Sequence, residues 1–224
     1  MDEDDIVLES TGSYNTLLGS ATTFGDTNIQ NSSVVGANGV VNVSNRVYLH
    51  TNHSDDNVGK VETDGSYHTI SDRRFKSFVR EDVPGLDFIT MLRPVNYKLD
   101  YKNFMAHRVQ LMPEAEQSRR LADYSNASES SPDNVGFIAQ EVHELCSSLN
   151  YDFGGLYIPN EDNPADHYTI SYSSFVPSLV KAVQEQQEII EDKQREIDGL
   201  RGTVESLSEQ MLQVTKRLEA LEKE

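Results

Sequence analysis

Ser71-Asp72-Arg73-Arg74-Phe75-Lys76 marks the point at which this 224-residue sequence changes character. The residues before it are rich in Gly, Asn, Ser, Thr and Val, whereas the residues after it contain helical patterns. A serine followed five residues later by a lysine can be a nucleophile and its base, because a neutral amine can accept the hydroxyl proton. A Ser-Asp pair is also an ordinary helix start, in which either side chain caps the first turn. The spacing alone leaves both interpretations open.

The segment before this stretch predicts very short strands joined by tight turns. Tyr14–Gly19 and Asn31–Gly36 echo each other, each with an apolar pair followed by glycine. A single run of such strands buries little apolar surface, so stacked or intertwined copies would be needed to cover it. We therefore predict a β-rich fibre or spike shaft end over residues 1–70, with a flexible Gly/Asn linker as the alternative.

Residues 71–174 predict a small α+β unit, since helical and alternating patterns follow one another over short distances. Its predicted helices are Phe75–Val79, Leu86–Leu92 and Glu141–Leu149, and its predicted strands are Val95–Leu99 and Tyr168–Tyr172. The single cysteine, Cys146, rules out an internal disulfide framework and is predicted to be a buried small side chain.

The C-terminal residues 175–224 contain a sustained seven-residue repeat, which is typical of a coiled coil. Its a positions are Val176, Val183, Ile190, Ile197, Val204, Met211 and Leu218. Its d positions are Leu179, Gln186, Lys193, Leu200, Leu207, Val214 and Leu221. The predicted coil is about 70 Å long. The a and d residues alone leave dimer and trimer open.

Composition excludes several classes of function. The net charge of -18 disfavours nonspecific binding to nucleic-acid phosphates or to anionic membrane surfaces. Apolar runs stay well below membrane-span length, and the start of the sequence lacks the apolar stretch of a signal peptide. We expect no cofactor, no metal site and no membrane insertion.

Four sequence blocks occur together in a recognisable order. They are Ser71–Lys76, then Gly85–Ile89 with Leu92–Tyr97, then Gly136–Val142, and finally Tyr172 with Leu179–Ala182. In this order they resemble the self-cleaving C-terminal intramolecular chaperone domain of phage tail spikes, tail fibres and neck appendages. Endosialidase tail spikes carry this domain, and myelin regulatory factor has a related one.

The resemblance implies a reaction within the chain. Ser71 would attack the carbonyl carbon of Ile70, and Lys76 would act as the base. Asp72 belongs to the same block and is expected to orient the turn. Gln140 and Glu141 belong to another block and are candidates for a supporting role. The scissile bond would then join Ile70 to Ser71.

Helix geometry adds an expectation about the site. A five-residue step along a helix rotates by about 140°, so Ser71 is expected in extended backbone just before the helix start. Helical side chains lean toward the N-terminus, so Lys76 is expected to reach back over a first turn whose amides could stabilise an oxyanion. A neutral lysine is favoured by burial, which we expect contacts in a trimer to provide.

We therefore predict an intertwined homotrimer that acts as an intramolecular chaperone for its own N-terminal fibre shaft and releases itself by self-cleavage. The resemblance implies a location in the virion, folding and cutting in the host cytoplasm, and contact with a host receptor only through the fibre. One alternative is a trimeric attachment or scaffold module that never cuts. Another is a nucleic-acid-binding regulator, which the net charge of -18 disfavours.

Overall fold

The structure is a computed structural model that describes residues 12–19, 22–25, 28–36, 39–50, 64, 66, 68–122 and 133–221. Helices and small sheets occur together in it, which confirms the predicted α+β class. The chain forms two compact units. The first contains the residues up to Phe78, Arg93–Glu144 and Leu156–Ile170, and the second contains Val79–Leu92, Leu145–Gly155 and the residues from Ser171 onward.

The strands are β1 (Thr16–Leu18), β2 (Thr23–Phe24), β3 (Ser33–Gly36), β4 (Val40–Val41), β5 (Val47–His50), β6 (Val95–Tyr97), β7 (Asn134–Gly136), β8 (Leu156–Tyr157) and β9 (Thr169–Ile170). The helices are α1 (Leu86–Ile89), α2 (Tyr101–Val109), α3 (Glu114–Ala122), α4 (Ala139–Ser148) and α5 (Val176–Leu221). Two 3-10 helices cover Arg73–Phe75 and Tyr172–Phe175.

Strands β1 to β5 form stacked parallel coils in the first unit. β1, β3 and β5 are neighbours in one sheet, and β2 pairs with β4. Leu17 lies opposite Val34, so the strands pair at the same 17-residue offset that separates Gly19 from Gly36 in the sequence. The predicted short strands are therefore confirmed for these residues, and the stacking takes place within one chain.

Two glycines occupy the same position in successive coils. Gly19 and Gly36 both have positive φ angles, of 135° and 130°. A Cβ atom on Gly19 would lie 1.7 Å from the carbonyl oxygen of Gly36. Only glycine allows both this backbone conformation and this approach. The echoed glycines of the sequence repeat therefore mark the place where one coil contacts the next.

The coils bury two groups of apolar side chains. Phe24, Ile29, Val34 and Val41 form one cluster between the strands. Val40 faces the other way and packs with Met105, Val109 and Met112, which come from α2 and the residue run that follows it. The coils therefore share a core with helices that lie after Ser71 in the sequence.

The region just after Ser71 differs from the prediction. The predicted helix over Phe75–Val79 is wrong, because the 3-10 helix ends at Phe75 and Phe78 has a φ of 53°. Phe75 and Phe78 are 72% and 96% exposed, so neither side chain packs to support a longer helix. α1 is also shorter than predicted and ends at Ile89.

The second unit is built on an aromatic cluster at the base of α5. Phe88 of α1 is fully buried and stacks on Phe175, with ring centres 5.9 Å apart. Its ring also lies 5.3 Å from the rings of Tyr151 and Phe153. Cys146, on the last turns of α4, is buried as predicted.

Glu185 of α5 caps the start of α1. Its carboxylate accepts a hydrogen bond of 2.8 Å from the backbone N–H of Leu86. A Cβ atom on Gly85 would lie 2.9 Å from the backbone nitrogen of Ala182 and 2.3 Å from Glu185 Oε2. Gly85 therefore allows the close approach of α1 to α5 that seats the aromatic cluster.

Phe88→Ala is expected to destabilise the protein by about 3–5 kcal/mol, because it removes a fully buried ring and leaves a cavity. Urea unfolding monitored by circular dichroism measures this loss. Phe78→Ala is the matched control, since Phe78 is 96% exposed and its loss should change the free energy of unfolding by less than about 0.5 kcal/mol. Equal effects of the two substitutions would contradict the assignment of Phe88 to the core.

α5 is one continuous helix of 46 residues. Its apolar a and d side chains are exposed along the helix, with Ile190, Ile197 and Leu207 between 43% and 55% accessible. The predicted helix is confirmed, and the coiled coil remains a prediction. Within the described ranges, no helix is both long and apolar enough to cross a membrane.

Candidate active site

Ser71 and Lys76 lie on either side of the 3-10 helix Arg73–Phe75. Asp72 is the N-cap of this helix and has extended backbone angles, with φ −73° and ψ 131°. Lys76 is the C-cap and is also extended, with φ −106° and ψ 125°. The chain therefore makes a single tight turn between two extended segments.

This turn brings the serine and the lysine into contact. Lys76 Nζ donates a hydrogen bond to Ser71 Oγ over 2.7 Å. A distance in this range allows a proton to pass between the two atoms once the amine is neutral. The geometry is that of a nucleophile with an adjacent base.

The geometry of the turn differs from the expected one in one respect. Helix geometry predicts that Lys76 lies on a helix and that its side chain reaches back over the first turn toward the N-terminus. It lies after the last residue of a three-residue 3-10 helix instead. The contact forms because the tight turn brings the two extended ends close together, so a side chain as long as lysine can reach back.

Asp72 holds the turn in place. Its carboxylate accepts a hydrogen bond of 2.8 Å from the backbone N–H of Arg74. The guanidinium of Arg74 binds the same carboxylate through both Nε and Nη2, with Nη2 at 2.7 Å. The Arg74 side chain, followed by the Arg74 backbone N–H, lowers the pKa of Asp72. Asp72 is therefore an ionised cap that shapes the turn beside the serine.

The amides of the turn are largely occupied. The N–H of Arg74 binds the Asp72 side chain, and the N–H of Phe75 binds the carbonyl of Asp72 at 3.1 Å. The N–H of Lys76 binds the carbonyl of Arg73 at 3.1 Å. These three amides were expected among the oxyanion donors, and each already has a partner within the turn.

The site is open to solvent in the single chain. Ser71 and Lys76 are exposed, and Ile70, which would supply the scissile carbonyl, is 80% accessible. The apolar rings of Phe75 and Phe78 beside the pair are exposed as well. The pair is thus formed but lacks the apolar surroundings that favour a neutral lysine.

Gln140 and Glu141 lie on the first turn of α4. The carboxylate of Glu141 forms a two-pronged ion pair with Arg93, whose Nε donates over 3.0 Å to Oε2. The Arg93 side chain lowers the pKa of Glu141, chiefly through this hydrogen bonding. Gln140 is exposed next to it. Glu141 therefore pairs with Arg93, and Ser71 and Lys76 form a separate pair.

The Arg93–Glu141 pair connects two of the four sequence blocks. β6 lies inside the first of these two blocks, and β7 ends at Gly136, the first residue of the second; the two strands pair antiparallel with Val95 opposite Gly136. Sequence reasoning did not single out Arg93, although it lies inside one of the blocks. Its role in this structure is to tie the start of α4 to the strand pair.

One family of known proteins matches part of the chain. Residues 71–150, about a third of the chain, match the family described as chaperone of endosialidase. The match begins at Ser71, and it confirms for this segment the resemblance drawn from the sequence blocks. No curated protein and no solved structure matches the chain.

The match shows what this segment is similar to: residues 71–150 resemble the intramolecular chaperone of endosialidase. The family is a peptidase family, which supports a self-cleaving activity in general terms. It also suggests a fibre as the client of the chaperone and the virion as its location.

Proposed function

We propose that the part of the chain from Ser71 onward assembles three copies of a viral tail fibre or spike and then cuts the bond between Ile70 and Ser71. The observation that carries this proposal is the 2.7 Å contact between Lys76 Nζ and Ser71 Oγ. It occurs at the first residue of a match to a family of self-cleaving chaperones. The contact supports a serine–lysine pair as the catalytic machinery.

The first step is an acyl shift within the chain. Neutral Lys76 accepts the proton of the Ser71 hydroxyl, and Ser71 Oγ forms a bond to the carbonyl carbon of Ile70. The bond from this carbon to the Ser71 nitrogen then breaks. The Lys76 ammonium returns the proton to that nitrogen, which leaves a free amine on Ser71 and an ester between Ile70 and Ser71 Oγ.

The second step is hydrolysis of the ester. Lys76 takes a proton from water as the water oxygen attacks the same carbonyl carbon. The bond to Ser71 Oγ breaks, and the proton returns to that oxygen. The products are a carboxylic acid on Ile70, which gives its proton to the new amine or to water and becomes a carboxylate, and a new N-terminus at Ser71. Atoms and charges balance without any external reagent except water.

Assembly would switch this reaction on. In the single chain the pair is exposed to water, and an amine acts as a base more readily where burial disfavours its charged form. Contacts in a trimer would cover the exposed ring of Phe75 and remove water from Lys76. Cutting would then follow assembly rather than precede it.

The exposed stripe of α5 supports the assembly step. Its a and d positions are apolar at most heptads and uncovered in one chain, as at Val183, Val204 and Leu218. Burying such a side chain stabilises an association by about 1.5–3 kcal/mol. A coil of about 70 Å would therefore hold the chains together in register. The family resemblance favours three chains over two.

The client of the chaperone would be the β-rich fibre shaft that ends in β1–β5. Parallel pairing between residues distant in sequence forms slowly, so a shaft of this kind gains from a coil that aligns the chains first. Loss of the coil after cleavage would leave a product that cannot readily refold once opened, so its stability would be kinetic. The product would belong to the virion and would meet a host receptor only through the fibre.

The assembly is tested by mass. The Ser71→Ala protein, which stays in one piece, is expected to have three times the 25.2 kDa mass of one chain because the α5 stripes associate. Light scattering coupled to gel filtration measures this mass at micromolar concentration. A stable monomer would contradict both the coil and the chaperone function, and a dimer would contradict the trimer alone.

A non-cleaving trimeric attachment or scaffold module is the second candidate function. The observation that favours it is the exposure of Ser71 and Lys76 in the single chain. Intact-mass spectrometry of freshly purified protein separates the two candidates. Self-cleavage gives the masses of residues 1–70 and 71–224, whereas a plain module gives one mass for the whole chain.

A further inference from the structure

The β-coils before Ser71 pack directly on the part of the chain that follows it. Val40 of β4 is fully buried against Met105 and Val109 of α2 and against Met112. The residues after Ser71 therefore complete the core of the coils. All of these residues lie in the first compact unit.

Two asparagines add polar contacts across the same boundary, which is the contact surface between the β-coils and the residues that follow Ser71. Asn42 is 3% exposed, and its side-chain amide donates to the carbonyl of Arg108 over 2.7 Å. The side-chain amide of Asn163 donates to the carbonyl of Asn42 over 2.8 Å. Buried hydrogen bonds of this kind fix the register of the two surfaces, since a shift would leave buried polar groups unsatisfied.

Two arginine–aromatic contacts cross the boundary in opposite directions. The guanidinium of Arg46 lies 4.0 Å from the ring centre of Tyr157. The guanidinium of Arg108 lies 4.8 Å from the ring centre of Tyr48. Each side of the boundary thus supplies one cation and one ring. Contacts of this type are attractive, and more so where water is excluded.

We infer that cutting at Ile70 does not by itself separate the two pieces: residues 1–70 remain docked on the surface formed by α2, Met112 and the segment Leu156–Asp166. For the natural cut, this inference rests on the proposed function. The contacts that hold the pieces involve residues 40–48 and not the residues beside the bond.

The products of the cut do not disturb this surface. The new carboxylate would form on Ile70, which is 80% exposed, and the new amine on Ser71, which is also exposed. Neither charge has to be buried. What the cut removes is the covalent link between the two surfaces, which raises their effective concentration while it is intact. Release of the chaperone then becomes a second event with its own rate.

The test uses a cut that does not depend on Ser71. A recognition sequence for a site-specific protease is inserted between residues 70 and 71 of the Ser71→Ala protein, and an affinity tag is added at the N-terminus. After the protease cuts, the tagged piece is captured under native conditions and washed. We expect the untagged C-terminal piece to be recovered with it in equal amount, and to be lost when the wash contains concentrated urea.

Matched variants show which surface holds the pieces. Val40→Asp puts a charge into the apolar contact with α2 and should abolish co-recovery. Val47→Asp makes the same change in β5 at a side chain that is 72% exposed, and should leave co-recovery intact. Asn42→Ala, a milder change, should speed dissociation about tenfold, because the buried carbonyl of Arg108 loses its partner.

Two results would overturn the inference. One is immediate separation of the pieces in the protein that carries neither Val40 nor Asn42 substitutions. The other is co-recovery that survives both Val40→Asp and Asn42→Ala, since the pieces would then be held elsewhere. Because the added protease makes the cut, a failure of self-cleavage leaves this test unaffected, and the two proposals fail separately.

Discussion

Ser71→Ala is expected to leave the protein as a single band on a denaturing gel, whereas the unsubstituted protein separates into residues 1–70 and 71–224. Alanine cannot form the ester with Ile70, so the rate of cutting should fall by at least about 10³-fold. Ser77→Ala is the matched control, because Ser77 is an exposed serine next to Lys76 and should be dispensable. N-terminal sequencing of the larger fragment should begin at Ser71.

The base is tested at Lys76. Lys76→Ala removes the amine, and Lys76→Arg replaces it with a guanidinium that stays protonated in proteins and cannot accept the serine proton. Both should leave one band, although arginine keeps the positive charge. Cutting that persists in Ser71→Ala, or a fragment that starts elsewhere, would reduce the chain to a plain assembly module.

Charged residues at two a positions of α5 are expected to abolish both assembly and cutting. Ile190→Asp with Ile197→Asp puts carboxylates into the predicted seam of the coil, where like charges from each chain would meet. Light scattering should give the mass of one chain, and the denaturing gel should show one uncut band. Cutting is lost because Lys76 would remain exposed without neighbouring chains.

The control for this pair is Ile189→Asp. Ile189 and Ile190 are adjacent and almost equally exposed in one chain, at 51% and 55%, but only Ile190 lies at an a position. Ile189 occupies a g position, where charged residues are common in coiled coils. Its substitution should preserve both the oligomer and cutting. Normal cutting speed in a monomer carrying Ile190→Asp and Ile197→Asp would show that assembly does not control the chemistry.

The short strands before Ser71 and the long C-terminal helix could be predicted from the sequence, because each contains a pattern that recurs at a fixed spacing. The similar segments Tyr14–Gly19 and Asn31–Gly36 contain β1 and β3, which pair with each other in the structure. The residues from Val176 onward, which have the seven-residue period, form one continuous helix. In both cases the same local pattern recurs, so the prediction does not depend on contacts that are distant in sequence.

The helices α2 and α3 were not predicted, and their buried residues explain why. The buried face of α2 contains Arg108, which is 3% exposed and lies over the rings of Tyr48 and Phe104. α3 buries Glu116 and Arg120 as an ion pair. A charged residue on a buried face interrupts the apolar period that marks an amphipathic helix. These helices depend on partners that the local sequence does not contain.

The sequence indicated that Ser71 and Lys76 would lie in contact, but it did not predict the backbone that brings them together. The block Ser71–Lys76 indicated the pair, but the 3-10 turn depends on the Asp72 cap and its Arg74 partner, which spacing rules for an α-helix do not cover. Glu141 was grouped with the site, and it pairs with Arg93 instead. A block shared within a family thus identifies residues that occur together without telling which of them touch.

The parallel stacking of β1, β3 and β5 also relates the number of residues in this segment to the length of the stack in Å. The segment from Leu17 to Val34 forms one coil, and the shorter segment from Val34 to Tyr48 forms the next. Each coil advances the stack by one strand spacing, about 4.8 Å. The insertion or deletion of one full coil therefore changes the length of the stack by this amount. It leaves the inward-facing and outward-facing side chains of the other strands where they were. An insertion of one residue within a strand turns inward-facing side chains outward, so variation in length should occur by whole coils.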